Sequence, residues 1–134
     1  MHIPLVFRGG AFRGGRHAPQ AVSLVDLAPT LLDLAGAAPA EGMDGRSFAA
    51  MARGDIPGWD EAVLIQISES EVARALRTPR YKYCVTAPHK NPWLDAGSDL
   101  YVEECLYDLQ QDPWELKNLV ADPASRQIKE GLRA

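Results

Sequence analysis

Two stretches of this 134-residue chain gather side chains that could do chemistry. Ser68, Glu69, Ser70 and Glu71, with Arg74, form the densest polar cluster, directly after the apolar run from Ala62 to Ile67. At a sheet edge such a cluster can offer hydroxyls, carboxylates and a guanidinium to a ligand. On these residues alone the plainer reading, a strand end meeting water, is favoured. Asp95, Asp99, Glu103 and Glu104 gather oxygens downstream, but their spacing does not match a calcium-binding loop, so a solvated acidic loop is the better reading. His2, His17 and His89 stand apart from one another and in no zinc-binding pattern. No G-x-S-x-G elbow is present, and no Cys/His pair has local support as nucleophile and base. Cys84 and Cys105 lack C-x-x-C spacing and read as small buried hydrophobes, a single bridge between neighbouring strands being the lesser alternative. By themselves these residues identify no reaction.

The tandem Phe7-Arg8-Gly9-Gly10 and Phe12-Arg13-Gly14-Gly15-Arg16 has the form of an RNA-binding arginine-glycine segment. Two copies are a weak signal, and a Gly-rich turn with solvated arginines is preferred because the whole chain carries a formal net charge of -4. Its glycines lack the G-x-G-x-x-G spacing of a dinucleotide loop. Neither nucleic acid nor membrane is expected as a partner. No stretch approaches transmembrane length and the N-terminal apolar run is too short for a signal peptide, so a soluble, cytoplasmic protein is the default. Hydrophobic residues at 46% and charged residues at 24% are an ordinary globular balance, sufficient for one core.

The elements that must position these groups follow from periodicity and punctuation. Ile3 to Phe7 reads as a buried strand ended by Gly9 and Gly10. Asp26 can cap a helix with Pro29 in its first turn; Leu27, Leu31, Leu34 and Ala35 share one face, and Gly36 stops it. Arg46 to Ala52 reads as a second short helix ended by Gly54. Ala62 to Ile67, Ala73 to Arg77, Tyr81 to Val85 and Leu106 to Leu109 read as strands, and strands in succession without intervening helices favour an antiparallel sheet. His89 to Ser98 lies in a loop rich in Pro, Asn, Gly and Asp. Asp112-Pro113-x-Glu115 signals one helical turn after a tight turn, and Asp122-Pro123 starts a last helix with Ala124, Ile128 and Leu132 on one stripe.

Several of these segments, in this order, resemble the sulfatase family. His2-Ile3-Pro4-Leu5-Val6 is similar to its "R-V-P-L" strand, and Val22 to Gly36 resembles its "VDL.PTLLDLAG" helix. Asp44-Gly45-Arg46-Ser47-Phe48 is similar to its "DG.SL" turn, and Arg74 to Tyr83 resembles "RA.RT.RYKY". Leu106 to Leu119 resembles "LYDL..DP.E..NL" near the C-terminus of these enzymes. The resemblance implies an α+β fold: a small antiparallel β-sheet with flanking helices at residues 56-134, preceded over residues 1-55 by the last strand and helix of an α/β catalytic domain. It implies descent from enzymes that hydrolyse sulfate esters or, in related branches, phosphate or phosphonate esters.

Sulfatases use a formylglycine made from Cys or Ser in a C-x-P-S-R or related motif, with a calcium ion held by Asp and Asn. Neither Cys84-Val85-Thr86 nor Cys105-Leu106-Tyr107 resembles that motif, and the aspartate pair of the metal site is missing. Formylglycine and calcium are therefore expected only in a complete family member, and this chain, a C-terminal fragment, is expected to be inactive. The alternative is a stand-alone non-catalytic binding or oligomerisation module. By implication of the family, Glu69, Ser70, Arg74 and His89, with the loop to Ser98, line a substrate-pocket rim. The missing catalytic domain, or self-association, would cover the apolar surface left exposed.

Overall fold

The structure is a computed structural model that describes residues 3–54, 58–59 and 62–133. His2 and Pro57 lie outside the described residues. The chain divides into two compact units, residues 1–61 and 62–134.

In the first unit, a 3-10 turn at Leu24–Asp26 leads into helix α1, Leu27–Leu34. Asp26 stands at the N-cap position of α1, but its side chain makes no cap bond to that helix. Ser23 takes the extended capping position, and the Asp26 carboxylate reaches back to accept its amide N–H at 2.8 Å, the returning half of a capping box. The same carboxylate accepts the Arg46 amide at 3.0 Å, tying the "DG.S" turn to the helix start. Thr30 completes the tie: its hydroxyl donates to the Asp26 carbonyl at 2.6 Å and accepts the Phe48 amide at 3.0 Å. Gly45 lies so close to the Val25 carbonyl that a Cβ there would overlap it.

The helix expected over Arg46 to Ala52 is a 3-10 helix at Ala49–Arg53, ended by Gly54 at φ 107. Phe7 and Phe12 clasp Phe48, with ring centroids 5.1 and 6.5 Å from it, and the Gly9 and Phe12 backbones exchange two hydrogen bonds of 2.9 Å. The arginine-glycine tandem thus opens with a tight turn. Two expectations fail here. Residues 3–7 form no strand, and Ile3 and Val6 are exposed, because no described neighbour offers their amides and carbonyls a ladder. The leucine stripe of α1 is not the covered face either: Pro29 and Thr30 are buried, while Leu31 is 58% exposed.

The second unit is a four-stranded antiparallel sheet in the order β1-β2-β3-β4. The strands are β1, Val63–Ile67; β2, Ala73–Arg77; β3, Tyr81–Thr86; and β4, Val102–Asp108. Each is joined to the next in sequence, as antiparallel pairs permit with short turns. Alternation sorts the faces: Tyr83 of β3 stands opposite Leu106 of β4, and both are buried, Leu106 at 0% exposure.

Helix α2, Arg126–Leu132, follows a 3-10 turn at Pro123–Ser125 whose cap is Asp122, its carboxylate accepting the Ala124 amide at 2.9 Å. Ser125 is buried and Ile128 and Leu132 half-buried, whereas Ala124 is exposed. Glu103 of β4 fastens this helix to the sheet. It accepts Lys129 at 2.8 Å, Arg133 at 2.5 Å and the Tyr83 hydroxyl at 3.0 Å. The Lys129 ammonium leads the groups that hold the Glu103 carboxyl below its usual range, while burial pushes the Tyr83 phenol up.

Candidate functional site

The loop between β3 and β4 is built, not loose. The Asn91 amide donates to the Asp95 carboxylate at 2.9 Å, and the Asn91 side chain and carbonyl accept the amides of Trp93, Leu94 and Asp95. Lys90 stands 3.5 Å from the same carboxylate. The Asn91 amide, then Lys90, hold the Asp95 carboxyl below its usual range. The turn presents Trp93 and Leu94 almost fully to solvent.

The return arm of this loop lies against β2. Gln66 of β1 donates to the Ala96 carbonyl at 2.8 Å, and the Ser98 amide donates to the Tyr101 hydroxyl at 3.0 Å. The Arg74 guanidinium stacks on the Tyr101 ring at 4.9 Å. Gly97 packs close beside it: a Cβ there would stand 3.2 Å from an outer guanidinium nitrogen and 3.5 Å from the Tyr101 oxygen, so the Arg74 head would have to give by a few tenths of an ångström. The Arg74 Nε is buried without a hydrogen-bond partner. Among the described residues no carboxylate pairs with this half-buried guanidinium, which is held by a ring instead and is thereby suited to an anionic ligand.

Of the residues singled out in the sequence, Arg74 and His89 come to the same loop. His89 Nε2 lies 3.3 Å from Ser98 Oγ, next in sequence to the Gly97 that touches Arg74. Glu69 and Ser70 lie apart from them, exposed in the turn between β1 and β2. Ser70, with Glu71, Thr86, Ala87 and Lys90, lines a cleft of about 310 Å³; Arg74, His89 and Glu69 do not line it. A larger hollow of about 520 Å³ in the first unit is bordered by Arg16, His17 and Arg53 and contains none of the predicted residues. Sequence reading missed Tyr101 and Gly97 as the support of Arg74. The available signal was the Gly97-Ser98 pair ending a loop that returns beside β2.

The segment from Leu106 to Leu119 closes the outer edge of β4. Asn118 accepts the Leu106 and Val120 amides and donates to the Glu104 carbonyl, each at 3.0 Å, and the Leu119 amide bonds the Leu106 carbonyl at 2.8 Å. Asp108 accepts Arg80 at 3.0 Å and the amides of Gln110 and Gln111 at 3.1 and 3.3 Å. The Arg80 guanidinium holds the Asp108 carboxyl below its usual range. The helical turn expected at Asp112-Pro113-x-Glu115 does not form. Glu115 takes φ 56, which no right-handed helix permits, and pairs with Lys82, while the Asp112 carboxylate accepts the Lys117 amide at 2.7 Å.

A family model for the C-terminal part of N-sulphoglucosamine sulphohydrolase matches residues 1–134. The chain belongs to the sulfatases. It is 30% identical to an ulvan-active sulfatase of Formosa agariphila, over 98% of this chain and 31% of the relative. It is 32% identical to a delta 4,5-hexuronate-2-O-sulfatase of Bacteroides thetaiotaomicron, over 99% and 27%, and 29% identical to mouse arylsulfatase K, over 91% and 22%. It therefore spans less than a third of the length of these relatives. Among solved structures, a 2-O GAG sulfatase superposes with a TM-score of 0.61 at 32% identity, over 81% of this chain and 22% of that one. A phosphonate monoester hydrolase from Silicibacter pomeroyi superposes at 0.55 with 25% identity, over 81% and 24%. The α+β fold of this sulfatase domain is shared with them.

A sulfatase's formylglycine and calcium do not fit the residues of this domain. Cys84 sits inside β3 and Cys105 inside β4, paired with each other in the strand register, where no modification loop surrounds either. Among the described residues no group of three or more His, Cys, Asp or Glu side chains could hold a metal ion. None of the described helices is long and apolar enough to cross a membrane.

Proposed function

We propose that this chain is the C-terminal domain of an enzyme that hydrolyses sulfate esters of an anionic carbohydrate, and that alone it turns over nothing. The relatives named for ulvan and hexuronate sulfates support the substrate class. The observation that carries the site is Arg74, a guanidinium pinned on Tyr101 without a carboxylate, beside a loop that also holds His89. Arg74 and His89 contact an anionic group of the sugar at the pocket rim; Glu69 and Ser70, which lie apart from them in the turn between β1 and β2, are left out of that contact. The nucleophile and calcium come from the catalytic part of such an enzyme.

The face bearing Leu24, Val25 and Leu31 is exposed in this chain and is assigned to contact with that catalytic part. In its absence the same face drives self-association, which is the route to a stand-alone assembly module. This reading includes no nucleic-acid partner: the net charge of -4 supports that, as does the packing of Phe7 and Phe12 of the arginine-glycine tandem with Phe48.

Two measurements test the reading. The purified chain with an aryl sulfate and calcium gives no turnover above buffer, and turnover abolished by chelation would refute the claimed inactivity. A sulfated disaccharide shifts the Trp93 fluorescence of the chain, and Arg74→Gln weakens that binding about tenfold, one charge-assisted contact's worth. An unchanged affinity in Arg74→Gln removes Arg74 from the site.

A further inference from the structure

Cys84 and Cys105 are free thiols, and they face each other directly across β3 and β4. Residues directly opposite in an antiparallel pair have Cα atoms about 4.5–5.5 Å apart with side chains on one face, inside the window of about 4.4–6.8 Å that a disulfide spans. The register slips immediately afterwards, between Cys84 and Val85, leaving Glu104 as the extra residue of a bulge. A bulge raises local twist and gives the two Cβ atoms room to turn toward each other. The β2 residue opposite Cys84 is Ala75, whose side chain is a single methyl.

We propose that Cys84 and Cys105 form a reversible disulfide site that reacts with low-molecular-weight disulfides such as oxidised glutathione. The two thiols have different roles. Cys84 is half-buried and Cys105 buried, so the reagent reaches Cys84 first. The Cys105 thiol opposite and then the Lys82 ammonium favour the Cys84 thiolate, while the Cys84 thiol and burial hold the proton on Cys105.

The Cys84 thiolate attacks one sulfur of the reagent; the reagent's S–S bond breaks, and one thiolate leaves and takes up a proton. Cys84 is now a mixed disulfide and no longer an anion, so the acceptor that held the Cys105 proton is gone. Cys105 then loses its proton and attacks the Cys84 sulfur, and the second reagent thiolate departs and is protonated. Two protein thiols are oxidised to one disulfide, and one small disulfide is reduced to two thiols. The product staples the two strands that carry Tyr83, Leu106 and the Glu103 clasp.

The reduced 134-residue chain is equilibrated without denaturant in glutathione buffers of increasing oxidised fraction, with Cys84→Ser and Cys105→Ser alongside. Titratable thiols fall from two to none, the intact mass drops by about 2 Da with no adduct, and a peptide map joins Cys84 to Cys105. Cys105→Ser collects one glutathione adduct, whereas Cys84→Ser reacts at least tenfold more slowly. The oxidised chain's urea midpoint rises by about 2–3 M, as closing a loop of about twenty residues implies. Stable glutathione adducts on the parent chain, disulfide-linked dimers, two thiols persisting at the most oxidising ratio, or closure only in denaturant would each overturn the proposal. These outcomes are independent of whether the sulfatase reading or the Arg74 site holds.

Discussion

Replacing Thr30 by Val tests the architecture of the first unit with almost no change of shape. Thr30 is 0% exposed, and its hydroxyl serves two backbones at once, donating to the Asp26 carbonyl at 2.6 Å and accepting the Phe48 amide at 3.0 Å. Valine fills the same volume but strands the Phe48 amide in a buried place, a cost of about 1–3 kcal/mol, with about 1 kcal/mol more for the lost donation. The extra buried methyl offsets about 0.8 kcal/mol, leaving a net loss of about 2 kcal/mol. Thr30→Ser keeps both hydrogen bonds and loses one methyl, about 1 kcal/mol. The more hydrophobic substitution is thus the more damaging one. Urea unfolding followed by tryptophan fluorescence reads this directly, because Trp59 is half-buried, bonded to the Ala21 carbonyl at 2.9 Å and stacked by Arg46 at 3.9 Å, while Trp93 and Trp114 are already exposed. At about 1–2 kcal/mol per molar urea the midpoint falls by about 1–2 M in Thr30→Val. A Val variant as stable as the parent, or more stable than Ser, refutes the assignment of the hydroxyl as the tie.

Gly45→Ala lowers the same Trp59 midpoint by at least as much, since its Cβ meets backbone at Val25 that cannot rotate away; an unchanged midpoint would show that the turn moves freely. Asp108 and Glu103 are held below their usual range by Arg80 and by Lys129, so each stabilises the fold above the unfolded carboxylate range of about pH 4 and loses that stabilisation as the pH falls through its lowered folded value. Acid titration followed by circular dichroism should accordingly show a loss of stability below about pH 4 that is shallower in Asp108→Asn. Leu31→Glu lowers the sedimentation-average mass of the chain at tens of micromolar, on the order of the concentrations at which weak dimers form; a parent chain strictly monomeric there removes self-association.

The parts of the fold legible in the sequence are those where local chemistry decides. β2 carries its own alternation and a Thr78-Pro79 stop, and it spans Ala73–Arg77 as expected. Asp122-Pro123 starts its helical turn for the same reason. β4 was read too short because Val102 to Cys105 do not alternate, and its bulge at Glu104 breaks the period of two. Residues 3–7 have the composition of a strand, but a strand exists only when another chain segment pairs with it. Asp112-Pro113-x-Glu115 carries helix-start signals that lose to an ion pair formed with Lys82, far away in sequence. Arg74 stood out as a charge, but its stacking on Tyr101 depends on how the intervening loop folds back, which no local pattern encodes.

The two margins of the sheet are unlike. Beyond β4 the Asn118 amide and the Leu119 backbone occupy the outward hydrogen-bonding positions at Leu106 and Glu104, which blocks pairing along the middle of that edge. β1 is the other end strand, with Leu64, Ile65 and Ile67 all exposed. Among the described residues of the second unit, β1 is thus the more open edge for a foreign strand, a fused hairpin or a misassembling copy. In any engineered version of this domain, a charged or proline substitution along Val63–Ile67 is the first place to protect solubility.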